Sequence, residues 1–124
     1  MYAEKGINLA EAVELIEKAL AIEPENGYFI DSLGWAYYQQ GRYPEALREL
    51  ERAVGLAKED PILYDHLGDA YIKNGMAAEA IAAWERSLQA DPNGPSAEAV
   101  QKKLEEARDN QFRAKGGAPK AEQK

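Results

Sequence analysis

The sequence predicts an all-α fold, an α-solenoid of antiparallel helix pairs. Three observations carry the prediction. Apolar residues recur at helical spacing along most of the chain, and no stretch alternates long enough to make a strand. Turn residues fall at regular intervals, at EPENG (23–27), Gly41, KEDP (58–61), Gly75 and DPNGP (91–95), and cut the chain into helices of about a dozen residues. Finally, DSLGWAYYQQGRYPEALRELERAV (31–54) is echoed 34 residues later by DHLGDAYIKNGMAAEAIAAWERSL (65–88).

Residues 1–26 form the first element. Ala12, Ile16, Ala19 and Ile22 stand in register with Ala46, Leu50, Ala53 and Leu56. MYAEKG ends as WAYYQQG and DAYIKNG do, which aligns Tyr2 with Tyr37 and Tyr71, and Gly6 with Gly41 and Gly75. One extra residue then separates Gly6 from Ala12. The segment therefore reads as the end of one helix followed by a whole second helix.

Residues 27–60 read as a complete helix–turn–helix unit. Ile30, Leu33, Gly34 and Tyr37 share one helix face. Gly34 on that face lets a second helix come close, Ala46 and Ala53 are small for the same reason, and Leu50 fills the gap between them. Gly41 stands where the chain reverses and positive φ is favoured. Pro44 falls in a first turn, where a missing N–H costs nothing.

Residues 61–94 repeat the unit. Asp60 is placed as an N-cap before the first-turn Pro61. Leu67, Gly68, Tyr71, Gly75, Ala80, Trp84 and Ser87 take the equivalent positions. Residues 95–112 break the pattern, because Gln101 and Lys102 replace the Leu-Gly pair. Ala97, Val100, Leu104, Ala107 and Gln111 or Phe112 leave one apolar stripe, so this is a capping helix, with Ser96 as its N-cap and Glu98 in its first turn. Residues 113–124 show no periodicity and are expected to be disordered.

A 34-residue unit carrying L-G-x-x-Y, then Gly, then A-x-x-x-(aromatic or Leu)-x-x-A resembles the tetratricopeptide repeat. The resemblance covers about residues 1–94; Ile30, Tyr64, Ser87 and Lys58 depart from the favoured residues without challenging the fold. With its broken first unit, the chain looks like the C-terminal segment of a longer, bacterial-type repeat protein.

Formal charge is −7. The last twelve residues carry four basic groups and one acid, which leaves residues 1–112 at −10. This argues against nucleic acid and anionic membrane surfaces as partners, since phosphates would be repelled. Without Cys there is no disulfide framework and no Cys-ligated metal. No apolar run approaches the roughly 20 residues of a membrane span, and the compartment stays open.

Asp65, His66 and Asp69 lie on neighbouring turns and carry the groups that hold a metal or polarise a water. They read as an ordinary polar helix face, because three groups on one helix do not converge. No nucleophile–base pair or phosphate loop is present, so no catalytic, cofactor-binding or metal-binding residue is assigned and no enzyme is expected.

Binding is the better prospect. The first helix of each pair should line the inner face of the superhelix. Its positions beside the buried stripe are Tyr28, Asp31, Trp35, Tyr38 and Gln39 in one unit, and Ile62, Asp65, Asp69, Ile72 and Lys73 in the next. The expectation is an interaction scaffold with a concave aromatic and acidic groove for a neutral or basic protein or peptide. Trp35 is the anchor to expect there. The basic carboxylate clamp known in the family is not supported, since Asp31, Asp65 and Asp69 would repel a ligand's carboxylate. The alternative is a stacking segment that self-associates through residues 1–22, where Val13, Ile16 and Leu20 lack part of their usual cover.

Overall fold

The structure, a computed structural model, describes residues 8–116. Tyr2, Gly6 and the stretch 117–124 lie outside the described residues. Six helices follow one another: α1 (Leu9–Ile22), α2 (Gly27–Gln39), α3 (Tyr43–Leu56), α4 (Pro61–Lys73), α5 (Ala77–Ala90) and α6 (Ala97–Ala114). No strand occurs among the described residues.

The helix ends follow from local chemistry. Asp60 caps α4, its Oδ1 accepting from the amides of Ile62 at 2.9 Å and Leu63 at 3.3 Å. Asn26 does the same for α2, accepting from Tyr28 at 2.9 Å and Phe29 at 3.1 Å. Gly41 and Gly75 adopt φ of +78° and +74°, as expected of chain reversals. Ser96 holds the N-cap position of α6 as expected, but its side chain accepts no capping bond. The chain enters α6 from a turn in which the Ala97 amide donates to the Gly94 carbonyl at 3.1 Å. The Ser96 backbone has right-handed angles, φ −98° and ψ −2°, whereas a capping side chain needs an extended backbone.

Each helix packs against the next, and α2 also touches α4 across the inner face. Gly34 and Gly68 make the close approaches inside the pairs. A Cβ on Gly34 would lie 2.8 Å from Leu50 Cγ, and one on Gly68 only 2.3 Å from Trp84 Nε1. The core is a string of three clusters, not one globule. Ile30, Ala53 and Leu63 form the first, with Leu20 against it. Leu50, Tyr64, Leu67, Ala70 and Ala83 form the second, and Ala80, Trp84, Val100, Leu104 and Ala107 the third.

The departures from the repeat pattern acquire reasons. Ser87 is buried, and its hydroxyl donates to the Pro61 carbonyl at 2.8 Å, a bond alanine could not make. Tyr64 is buried with its hydroxyl accepting from Arg86 at 3.2 Å. On α1 only Leu9 is buried, and Leu20 packs on the first cluster. Val13, Ile16 and Leu20 are half-buried, and the strongly exposed large apolar residues there are Leu15 and Ile22. Helix α6 continues through Ala114, past the expected boundary at 112, and Phe112 stands outside its buried stripe.

Candidate concave binding face

Helices α2, α4 and α6 present successive strips of one face. An aromatic row crosses it. Trp35 stacks on His66 with centroids 4.3 Å apart, and on Tyr38 at 4.6 Å and an interplanar angle of 8°. Tyr38 then meets Tyr43 edge-on at 5.3 Å, and the Lys73 ammonium lies 5.6 Å from the Tyr43 ring centroid. Trp35 and Tyr38 are three apart on α2 and therefore point the same way. His66 reaches them from the facing helix, α4.

Two clefts flank this row. The N-terminal one, of about 250 Å³, is bounded by Ala12 and Ile16 of α1, Asp31, Trp35 and Gln39 of α2, and His66. The C-terminal one, of about 230 Å³, lies among Tyr38, Asp69, Ile72, Trp84, Lys103 and Ala107, with Glu106 and Asn110 at its wall. Seven of the ten residues expected in the groove thus sit at or between the clefts: Asp31, Trp35, Tyr38, Gln39, Asp65, Asp69 and Ile72. Tyr28 and Ile62 stand exposed at the starts of their helices and line neither cleft. Lys73 is turned onto Tyr43.

The carboxylates differ from expectation, because each has a cationic or ionisable partner. Asp31 Oδ1 lies 2.8 Å from His66 Nδ1. Lys103 Nζ donates to Asp65 Oδ1 at 2.8 Å and to both Asp69 oxygens at 3.0 and 3.1 Å. Sequence reasoning missed Lys103. It sits on the charged side of a helix outside the repeat, so no register marked it as facing inward. Trp84 is a core residue that also borders the C-terminal cleft and donates from Nε1 to the Asp65 carbonyl at 3.2 Å.

Burial and pairing act against each other here. Burial pulls the His66 pKa down, but the bond to Asp31 and the charges of Asp31, Asp65 and Asp69 outweigh it, leaving the imidazole above 6.5. Burial raises the Asp69 carboxyl above the usual range; Lys103 opposes this and Asp65 reinforces it. Lys103 is held above its ordinary value because its bonds to Asp65 and Asp69 exceed the burial that lowers it. Tyr38 is raised by burial first and by the Asp69 charge second. Among the described residues no group of three His, Cys, Asp or Glu could hold a metal ion, and no helix is long and apolar enough to cross a membrane.

The profile of the tetratricopeptide repeat family matches residues 32–95, just over half of the chain. No curated protein matches it in sequence. Among solved structures, the Yersinia enterocolitica type III secretion chaperone SycD, in complex with a peptide of the translocator YopD, is similar with a TM-score of 0.79. It is 17% identical over 89% of this chain and 86% of that one. The first TPR of Spaghetti (RPAP3), bound to an HSP90 peptide, gives 0.75 at 24% identity over 86% of each chain. The first TPR domain of human RPAP3 gives 0.78 at 23% identity, over 90% of this chain and 87% of that one. At such identities the likeness is one of fold.

Proposed function

Since the chain belongs to the tetratricopeptide repeat family, we propose that it is a non-catalytic protein–protein interaction scaffold whose concave face holds a peptide or helix of a partner. The observation carrying this is the pair of clefts on either side of the Trp35–Tyr38–His66 stack, apolar enough to bury side chains and polar enough to orient them. Two neighbours of the same fold hold peptides, of YopD in SycD and of HSP90 in Spaghetti (RPAP3). The ligand is neutral or basic, because the face carries the carboxylates of Asp31, Asp65 and Asp69, and Lys103 beside them is already bonded to two of the three.

Affinity capture tests this with the chain as bait and a Gln39→Lys, Ile72→Glu variant as control. Both positions are exposed, so the variant should keep the fold. A protein partner retained by the first and lost by the second supports the groove. Equal retention by both removes it.

A second reading is self-association through residues 1–22. It is favoured by Leu15 and Ile22 of α1, which are 55% and 82% exposed. A mass by light scattering that rises with concentration, and stays monomeric in a Leu15→Glu, Ile22→Glu variant, is the expected result. A constant monomer mass would remove this reading.

A further inference from the structure

The C-terminal cleft is closed on one side by α6, and α6 places a cation in it. One ammonium, Lys103 Nζ, serves two carboxylates, Asp65 and Asp69, at 2.8–3.1 Å. Glu106 adds a third carboxylate at the wall. Three negative groups against one positive leave the cleft in excess negative charge even with Lys103 seated. Lys103 itself is about one-third exposed, so water and solutes can reach the pair. Immediately beside it Tyr38, Ile72, Trp84 and Ala107 form an apolar wall with room for a side chain.

Resting on the groove reading above, we propose that this cleft receives an apolar side chain of a partner peptide whose adjacent lysine or arginine displaces Lys103 from Asp65 and Asp69. The charge excess selects the cation. The neighbouring wall selects an apolar residue next to it. Helix α6 is then a built-in competitor: it keeps the acid pair satisfied in the free protein, where two uncompensated carboxylates would repel each other. It also raises the affinity a ligand needs, which disfavours peptides that offer charge without the apolar residue.

The chain has two tryptophans, and each borders one cleft: Trp35 the N-terminal, Trp84 the C-terminal. Their indole N–H resonances therefore report the two sites separately. The probes are labelled peptides of one length built from Leu-Lys, Leu-Gln or Leu-Glu repeats, titrated by anisotropy and by two-dimensional NMR. The Leu-Lys peptide should bind most tightly and shift the Trp84 indole. Lys103→Met should tighten its binding by roughly fivefold, the scale of releasing a partly exposed ion pair, and leave Leu-Gln unchanged. Lys103→Arg should behave as the parent.

Unchanged or weaker Leu-Lys binding in Lys103→Met overturns the competitor. So does a shift confined to Trp35, and in both cases the groove reading stands. If no peptide binds and neither indole moves, both readings fall. If Lys103→Met loses its helical signal, the same comparison is made with Lys103→Gln, which also removes the cation, and unchanged or weaker Leu-Lys binding there overturns the competitor.

Discussion

His66 is the single histidine of the chain, which makes its titration directly observable. It lies under Trp35 with Nδ1 against Asp31, and it faces the charges of Asp65 and Asp69. Burial lowers its pKa, yet the Asp31 bond and the three carboxylates raise it further, so the folded value exceeds 6.5. A raised folded value means the stabilising contribution is fully present below about 6.5, the unfolded value, and is lost as pH rises through the folded one. The imidazole resonances should therefore titrate above 6.5, and Asp31→Asn should bring the midpoint down and flatten the fall in stability. A midpoint at or below 6.5 would contradict the account. Gly68 makes the second prediction at this scale. A methyl there meets the Trp84 ring at 2.3 Å and disturbs its bond to Asp65. Gly68→Ala should cost about 1–3 kcal/mol in urea unfolding, as overpacked cores do. Gly55 of α3 has nothing within 4 Å of an added methyl, so Gly55→Ala should stabilise by about 0.5–1 kcal/mol. Equal effects of the two would show that close approach does not set the glycine requirement.

At the scale of elements, caps distinguish helices that the sequence alone makes look alike. Asp60 and Ser96 both precede a helix and both suit an N-cap. Only Asp60 has the extended backbone, with ψ near 113°, that turns its carboxylate onto the first amides. Asp60→Ala should then lose about 1 kcal/mol, while Ser96→Ala should change stability by no more than about 0.5 kcal/mol. Thermal melts of the two variants check this, and similar losses would count against the geometry. The same contrast explains what was legible. Leu33, Gly34, Leu67, Gly68, Ala46 and Ala80 declare their packing because repetition exposes a rule, and the helix pairs follow from it. Lys103 could not be found that way. Its partners lie 34 and 38 residues away, and meeting them depends on the rotation of α6 about its axis. The break at Gln101 and Lys102 says that α6 is no repeat, but not which of its lysines turns inward. Asn26 obeys the same rule as Asp60, 34 residues on: Asn before a helix start is an ordinary cap.

For the whole molecule, the decisive property is that the core is strung along the chain. Each cluster joins consecutive helices, and long-range packing runs mostly from neighbour to neighbour. Stability in such an array is close to a sum of unit and interface contributions, so it should vary along the chain. The ends differ in what holds them. Helix α1 buries only Leu9 and exposes Leu15 and Ile22, while α6 buries Val100, Leu104 and Ala107 and is clasped by Lys103. Native-state hydrogen exchange should therefore rank α1 least protected and α4 and α5 most, with α6 between them. The α6 clasp is partly exposed and hence screened, so added salt should lower protection in α6 more than in α1, whose hold is apolar. Leu104→Ala should remove about 2–5 kcal/mol, the usual cost of emptying a buried leucine site, from the protection of α6 first. Slow amides of α1 should be left almost unchanged by that substitution, because four helices, α2 to α5, stand between α1 and α6. Uniform protection from α1 to α6, falling everywhere at once in Leu104→Ala, would mean that the three clusters act as one cooperative core and that the solenoid has no weaker end to open.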